Sequence, residues 1–207
     1  MTALLIVDLQ NDFLPRGALP VADGDQIIPV VNLLMSRKFD LVVASLDWHP
    51  AEHGSFAENH PDMQVGDVID LNGTEQILWP AHCVIDTLGA QLAPDLKKEK
   101  IDHLVYKGTD PEIDSYSAFF DNGHRKDTGL THVLKSHGIT DVYVVGLATD
   151  YCVKFTVLDA CLEGFRTYVV ADGCRGVEMK AGDCARAFEE MKQAGAIVLV
   201  SSSEMHQ

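Results

Sequence analysis

The stretch VYVVGLATDYCVKFTVLDACLEG, residues 142–164, decides the fold. It opens with a continuous apolar run, Val142–Leu147, which is typical of a strand covered on both faces of a sheet. Apolar residues at helical spacing follow over Asp150–Glu163 and end at Gly164, the kind of glycine that terminates helices. A strand that leads directly into a helix predicts a parallel sheet with helical crossovers.

Similar apolar runs recur along the chain and alternate with helical patterns. The other runs are Ala3–Val7, Leu41–Leu46, His103–Tyr106, Thr167–Val170 and Ala196–Val200. The other predicted helices are Gln26–Lys38, Thr128–His137 and Asp183–Ala194. This alternation predicts an α/β fold: a doubly wound, mostly parallel six-stranded sheet with helices on both faces. We interpret residues 1–207 as a single domain, in which Asp47–Gln76 fits neither period and is predicted to be a functional loop.

Composition and charge exclude several classes of function. The 207 residues are 46% hydrophobic and 23% charged, as in an ordinary globular protein. A net charge of −15 repels phosphate groups, so we expect no nucleic-acid partner and no membrane association. We also expect neither a secretory signal nor a membrane span. Five cysteines without C-x-x-C spacing favour a reducing, cytoplasmic compartment.

Polar residues at the carboxyl ends of the predicted strands indicate a site, because ligands of open α/β sheets bind at that edge. Asp8 ends the first strand, and Lys107 ends the third. Asp47 ends the second strand, with His49 two residues further on. Cys152 lies in the first turn of the helix after the fourth strand. An acid, an amine, a thiol and a metal-binding pair at one edge predict a catalytic site.

Cys152 is the candidate nucleophile. At a helix start, with Thr149 or Asp150 as the predicted N-cap, free N–H groups and the helix dipole stabilise an anion. A free thiol has a pKa of about 8.5, and we expect the helix and a nearby cation to lower it here. Asp8 would then take the thiol proton and later deliver it to a leaving group. The alternative for Cys152 is a merely buried cysteine. The alternatives for Asp8 are a structural ion pair with Lys107 and a capping role in the turn that follows.

A second set of residues predicts a metal site. Side chains two residues apart at the end of an extended strand point to one face, so Asp47 and His49 can bind one ion. His82 can supply a third ligand, and this donor set suits Zn²⁺, Fe²⁺ or Mn²⁺. His53, Ser55 and His60 are close enough in sequence for a fourth contact to the ion or for indirect support of its ligands, unless they are solvated loop residues.

Six segments of the chain together resemble a known family. They are ALLIVDLQNDFLPRGALPV (3–21), DWHP (47–50), WPAHC (79–83), YKG (106–108), YSAF (116–119) and GLATDYCV (146–153). The chain resembles the nicotinamidases, also called pyrazinamidases, of the isochorismatase-like cysteine hydrolase superfamily. The resemblance covers essentially the whole chain. The combination of D-x-H with W-P-x-H-C is specific, because metal-free relatives lack it.

The resemblance implies roles for the residues at the carboxyl edge. Cys152 would be the nucleophile, Asp8 the base and then the acid, and Lys107 the third member of the triad. A cis peptide bond between Leu147 and Ala148 would direct the N–H groups of Ala148 and Cys152 at the oxyanion.

The metal and ring sites are implied in the same way. Asp47, His49 and His82 would bind one divalent metal ion (Zn, Fe or Mn), with Ser55 or His53 as a possible further contact. Three aromatic residues near these positions would line a slot for a flat ring, although core packing is their ordinary role. They are Phe13, Trp79 and Tyr116.

The implied activity is the conversion of nicotinamide to nicotinate and ammonia through a thioester, as part of NAD salvage. The small molecule nicotinamide is then the expected partner, pyrazinamide a second substrate, and a homo-oligomer an open expectation. Two alternatives are a different small-amide hydrolase, such as an N-carbamoyl amidase, and a non-catalytic module that stores metal or senses nicotinamide. Absence of bound metal would favour the first. A Cys152→Ala variant tests the second, because a sensor would bind and signal unchanged, whereas an enzyme would lose turnover.

Overall fold

The computed structural model describes residues 1–204. Within them the strands are β1 (Thr2–Val7), β2 (Leu41–Asp47), β3 (Val68–Leu71), β4 (Thr74–Ile77), β5 (His103–Lys107), β6 (Asp141–Leu147), β7 (Arg166–Arg175) and β8 (Ile197–Leu199). The α-helices are α1 (Ile28–Leu34), α2 (Leu130–Ser136), α3 (Lys154–Leu162) and α4 (Asp183–Gln193). Each predicted apolar run and helix overlaps one of these elements, with boundaries that differ by up to five residues.

Six strands form one sheet in the order β5-β2-β1-β6-β7-β8, and all neighbours in it are parallel. Apolar side chains are buried on both faces of the sheet, with α2, α3 and α4 on one face and α1 on the other. These observations confirm the predicted fold class. The assignment of residues 1–207 to one domain stays a prediction.

A small hairpin, formed by β3 and β4, interrupts the region predicted to be irregular. Its turn is Asn72-Gly73, and both residues have positive φ angles. The prediction for Asp47–Gln76 is therefore wrong over its last part, although the signal was present: Asn-Gly between two short alternating runs favours a tight hairpin.

The chain after β6 also differs from the prediction. Thr149–Val153 form a π-helical turn before α3, and Ala148 is the N-cap, with no side-chain hydrogen bond. The predicted N-cap, Thr149 or Asp150, is therefore wrong. The reason is that the Asp150 carboxylate accepts hydrogen bonds from two backbone N–H groups of the loop after β7, at 2.9 and 2.8 Å.

The close approach of β6 to β1 sets the position of this turn. Gly146 has a φ of +128°, and a Cβ atom there would lie 2.0 Å from the carbonyl oxygen of Val7. Only glycine fits so near a neighbouring backbone. The turn after β6 consequently lies beside Asp8, the residue that follows β1.

No helix within residues 1–204 has the length and the apolar character that crossing a membrane requires.

Candidate active site and metal site

Four adjacent strands bring the predicted catalytic residues to one edge of the sheet. Lys107 ends β5, Asp47 ends β2, and Asp8 follows β1 directly. Cys152 lies in the π-helical turn after β6. Because the order of these strands is β5-β2-β1-β6, residues far apart in sequence become neighbours. All four side chains are buried.

The ammonium group of Lys107 lies at the centre of this cluster. Its Nζ atom is 2.8 Å from Oδ2 of Asp8 and 2.5 Å from Oδ1 of Asp47. It is also 3.4 Å from Sγ of Cys152 and donates to the carbonyl oxygen of Ser115 at 2.8 Å. Burial disfavours the ammonium form, but the two carboxylates outweigh it and hold the pKa of Lys107 well above its ordinary value. Lys107 therefore carries a positive charge in the site.

Asp8 is placed to exchange a proton with the thiol. Its Oδ1 atom accepts a hydrogen bond from the Ser45 hydroxyl at 2.6 Å, and a carboxylate oxygen of Asp8 lies within 4.8 Å of Sγ of Cys152. Burial raises the pKa of Asp8, although the positive charge of Lys107 opposes the shift. A carboxylate with a raised pKa is a stronger base than an exposed one.

The environment of Cys152 corrects one expectation. Burial raises the pKa of the Cys152 thiol well above its ordinary value, against the lowering effect of Lys107. The negative charges of Asp8 and Asp47 raise it further. The predicted lowering of this pKa by the helix start is therefore wrong. Before reaction Cys152 is therefore a neutral thiol. Its attack requires a nearby base that takes the thiol proton.

The three predicted metal ligands also meet. Ligand atoms of Asp47, His49 and His82 all lie within 4.8 Å of one another, and all three residues are buried. The Nε2 atoms of His49 and His82 are 3.6 and 3.8 Å from Oδ2 of Asp47. Burial disfavours the charge on Asp47, but Lys107 and His49 hold its pKa well below the ordinary value. The carboxylate is therefore ionised, as a metal ligand must be.

Hydrogen bonds orient both imidazole rings of this trio. Nδ1 of His49 lies 2.8 Å from the carbonyl oxygen of Gly108, and Nδ1 of His82 lies 2.8 Å from that of Pro80. A carbonyl oxygen only accepts, so each Nδ1 carries a proton, and in the neutral ring each Nε2 offers its lone pair. Among residues 1–204, Nε2 of His49 is buried without a hydrogen-bond partner. Such an arrangement fits a divalent metal ion.

His53 and Ser55, the two candidates for an additional contact to the metal ion, form hydrogen bonds with each other. The backbone N–H of Ser55 donates to Nδ1 of His53 at 3.2 Å, and the Ser55 hydroxyl lies 2.7 Å from the same atom. Both residues are fully buried rather than solvated.

A narrow pocket opens beside the thiol and the metal trio. All three predicted ring residues, Phe13, Trp79 and Tyr116, line it together with Cys152. The indole N–H of Trp79 donates to the Tyr116 hydroxyl at 3.1 Å, which fixes the two rings relative to each other. Burial raises the pKa of Tyr116 well above its ordinary value, so the hydroxyl is neutral. The pocket is an aromatic slot with a nucleophile at its end.

Sequence reasoning missed four residues of this pocket: Leu19, Asp114, Tyr151 and Val177. Tyr151 is adjacent to Cys152, and Asp114 precedes Tyr116 by two residues, so proximity to a motif was an available signal for both. No local pattern marks Val177, which comes to the pocket through the loop after β7. The Leu147–Ala148 peptide bond is cis.

Comparisons with known proteins identify the family of the chain. The family model for the isochorismatase domain matches residues 2–203. A curated nicotinamidase of Escherichia coli (strain K12) is 51% identical over 197 residues, which are 94% of this chain and 92% of that protein. The structure of an Acinetobacter baumannii nicotinamidase/pyrazinamidase has a TM-score of 0.94 at 45% identity and covers 99% of this chain and 98% of its own. That of a Pyrococcus horikoshii pyrazinamidase in complex with zinc has a TM-score of 0.77 at 40% identity and covers 96% and 98%. The chain therefore belongs to the isochorismatase family, and within it to the amidohydrolases.

Proposed function

We propose that this protein is a nicotinamidase that hydrolyses nicotinamide to nicotinate and ammonia and also cleaves pyrazinamide. The observation that carries the proposal is the contact between Cys152, Asp8 and Lys107 at the end of an aromatic slot. The slot suits a flat ring, and the thiol at its end suits attack on a carboxamide. The identity of 51% to a curated nicotinamidase supports this substrate over other small amides.

In the first half of the reaction, the sulfur of Cys152 forms a bond to the carboxamide carbon while Asp8 takes the thiol proton. Lys107 stabilises the negative charge, whether it lies on Asp8 or on the sulfur. The backbone N–H groups of Ala148 and Cys152 hold the oxyanion, as the family resemblance implies. Asp8 then gives its proton to the leaving nitrogen, the C–N bond breaks, and ammonia leaves a thioester behind.

In the second half, water attacks the thioester carbon, and Asp8 again acts as the base. The C–S bond breaks, the proton returns from Asp8 to the sulfur of Cys152, and the product leaves as nicotinic acid, which loses its proton to solvent and becomes nicotinate. Asp8 thus accepts and donates one proton in each half. A carboxyl group with a raised pKa is suited to both roles, because its pKa lies nearer to the working pH than that of an exposed carboxyl group.

Asp47, His49 and His82 would hold one divalent metal ion, Zn, Fe or Mn, beside the ring slot, which Asp47 and His82 line. When bound, the ion supplies a Lewis acid for the ring nitrogen and thereby orients and polarises the ring. The zinc complex of the Pyrococcus horikoshii pyrazinamidase supports a divalent ion in this chain. His82 packs against Phe13 with ring centroids 5.4 Å apart, so the metal trio and the aromatic slot are continuous. We expect benzamide, which lacks the ring nitrogen, to be a much poorer substrate.

We further propose that the reaction recycles nicotinamide for NAD synthesis in the cytoplasm, with residues 1–207 acting as one catalytic domain. The products of the proposed reaction, a pyridine carboxylate and ammonia, suit such a salvage step.

Ammonia release from nicotinamide, measured before and after metal removal by a chelator, tests the proposal. We expect release that stops on chelation and returns when Zn²⁺, Mn²⁺ or Fe²⁺ is added. A Cys152→Ala variant should bind metal and show no turnover. Release that persists after complete metal removal would contradict the role of the ion. No release from the reduced, metal-loaded protein would contradict the choice of nicotinamide and direct the search to other small amides.

A further inference from the structure

Asp114 is a buried carboxylate in the ring pocket for which the proposed reaction has no use. Only 3% of its surface is exposed. Its Oδ1 atom accepts the backbone N–H of Ser115 at 2.7 Å, and its Oδ2 atom accepts an N–H of Gln76 at 3.1 Å. A carboxylate oxygen of Asp114 lies within 4.8 Å of a ring nitrogen of His49 and of one of His53, a cluster that adjoins the metal trio through His49.

His53 presents a second unused polar group to this cluster. A backbone N–H can only donate, so the contact from Ser55 makes Nδ1 of His53 an acceptor. A ring whose Nδ1 accepts a hydrogen bond carries its single proton on Nε2. That Nε2–H group is buried and has no partner among residues 1–204. The ring of His53 lies 4.4 Å from that of His49, centroid to centroid.

The protonated Nε2 decides between two roles for His53. A ring nitrogen that carries a proton has no lone pair for a metal ion. Nδ1 is occupied by Ser55, so neither nitrogen of His53 is free to bind the ion directly. A buried N–H without a partner needs an acceptor, because leaving it unpaired costs about 1–3 kcal/mol.

The charges of the site require a further anion once a divalent ion is bound. Asp8 and Asp47 are negative and Lys107 is positive, which leaves one negative charge in the buried cluster. A divalent ion would turn this into one positive charge. The carboxylate of Asp114 brings the sum to zero, and an uncompensated charge in a buried site is costly.

We propose that Asp114 and His53 form an outer wall of the metal site and bind the water molecules that complete the coordination of the ion. Asp114 accepts hydrogen bonds from these waters, and the Nε2–H group of His53 donates one. Gln76 holds Asp114 in place and also contacts the Tyr116 hydroxyl at 3.2 Å, so the wall is continuous with the ring pocket. This inference rests on the metal site of the proposed function and extends it to two residues that are not ligands.

Metal affinity of the metal-free protein, measured by competition of Zn²⁺ with a chromophoric chelator, tests this inference without any turnover. We expect Asp114→Asn and His53→Ala to weaken Zn²⁺ binding by about 10- to 100-fold, the range known for residues that support metal ligands indirectly. His53→Gln keeps an N–H donor of similar reach and should bind Zn²⁺ more tightly than His53→Ala.

Asp121→Asn is the matched control. Asp121 is a similarly buried carboxylate that accepts two backbone N–H groups at 2.9 Å, but it lies outside the metal cluster. Its substitution should leave the affinity for Zn²⁺ unchanged. With Co²⁺ in place of Zn²⁺, the visible spectrum of Asp114→Asn should keep the shape of the wild-type spectrum, because the direct ligands are the same.

Several results would overturn the inference. If folded Asp114→Asn and His53→Ala bind Zn²⁺ with wild-type affinity, the two residues do not form an outer wall of the metal site. Equal Zn²⁺ affinities of His53→Ala and His53→Gln would mean that His53 does not act as a hydrogen-bond donor to the metal site. If Asp114→Asn does not fold, these two variants alone test the inference. A changed Co²⁺ spectrum in Asp114→Asn would make Asp114 a direct ligand instead. If Asp47→Asn also binds Zn²⁺ as tightly as wild type, the metal site itself is wrongly placed, which is a separate failure.

Discussion

At the scale of single residues, the position of Lys107 joins two interpretations that the sequence left as alternatives. Its ammonium group is ion-paired with Asp8, as a structural role requires. It also lies 3.4 Å from the sulfur of Cys152, which a structural role does not require. When the thiol proton moves to Asp8, the negative charge moves from oxygen to sulfur. The charge stays beside the Lys107 ammonium group in both states. The same contacts therefore serve stability and catalysis.

The first prediction concerns Asp8 as the base. Asp8→Asn keeps the shape of the side chain and removes its ability to take a proton. We expect kcat for nicotinamide to fall by about 10²- to 10⁴-fold, the usual contribution of a positioned general base. Steady-state ammonia release measures it. Asp102→Asn is the control: its carboxylate accepts the backbone N–H of Val42 at 2.8 Å, at the amino end of β2, and its loss should not change kcat.

The second prediction is the position of the acid limb of the pH profile. Asp8 must be ionised to accept the thiol proton, and burial raises its pKa above the ordinary value of 3.8. Activity is therefore lost as the pH falls through this raised pKa. We expect the acid limb of kcat/KM to lie above pH 3.8 and to move when Ser45→Ala removes the hydroxyl that donates to Asp8. If Ser45→Ala leaves the acid limb unchanged, the limb reports the titration of a group other than Asp8.

The residue scale also shows how far the sequence could go. Asp8, Lys107 and Cys152 were predictable because a parallel sheet brings the carboxyl ends of its strands together, whatever their separation along the chain. The direction of the Cys152 pKa was not predictable, because it depends on how completely the thiol is buried and on two carboxylates from other strands. For the same reason, Asp114 has no visible role until its neighbours are known.

At the scale of elements, the turn after β5 controls the metal site. Gly108 has a φ of +63°, and its carbonyl oxygen lies 2.8 Å from Nδ1 of His49. A Cβ atom at Gly108 would lie 2.3 Å from Cε1 of that ring. The turn thus orients His49 through its carbonyl group and leaves room for the ring only because it has no side chain.

The third prediction follows from this close contact. Gly108→Ala should displace the His49 ring and weaken Zn²⁺ binding, with a parallel loss of turnover. Gly129→Ala is a matched control, since Gly129 has a φ of +87° but a Cβ atom there would meet no other atom within 4 Å. Both variants carry the backbone strain of alanine at positive φ, which costs about 1 kcal/mol or more. Equal Zn²⁺ affinities in the two variants would contradict the role of Gly108.

The fourth prediction concerns the loop after β7. Both carboxylate oxygens of Asp150 accept backbone N–H groups of this loop, one of them from Val177, which lines the ring pocket. Asp150→Asn should loosen the pocket wall and raise KM for nicotinamide more than it lowers kcat. Asp172→Asn is the control, because Asp172 accepts a backbone N–H from Ser202 at 2.9 Å, away from the pocket. A pure loss of kcat would mean that Asp150 acts on the nucleophile instead.

Elements were more predictable than the contacts they make. The strands and helices follow from apolar periodicity, and the hairpin could have been found from Asn72-Gly73. The capping role assigned to Asp150 failed for a different reason. A carboxylate near a helix start favours capping locally, but here a loop from a distant part of the chain offers two donors to the same oxygens. Local patterns do not contain that competition.

At the scale of the whole molecule, the site exists only in the folded chain. Its residues come from four strands that are neighbours in the sheet and distant in sequence. An ion bound by Asp47, His49 and His82 therefore binds the native state and not the unfolded one, and should stabilise the fold by mass action. The metal-free protein keeps the same polar groups buried without the stabilisation that a bound ion supplies. For one of these groups, His53, the lowered pKa gives the size of the effect on the free energy of unfolding.

The last prediction is a loss of stability of the metal-free protein in mild acid. Burial lowers the pKa of His53 from 6.5 to about 4, so the unfolded chain binds a proton in this interval and the native state does not. The free energy of unfolding therefore falls as the pH drops below 6.5. Between pH 7 and pH 5, His53 should account for a loss of about 2 kcal/mol. Urea unfolding of wild type and His53→Gln at both pH values isolates this contribution, because every other titrating group is common to the two proteins. Equal losses in both would mean that His53 is exposed to solvent, or already protonated, in the native metal-free state.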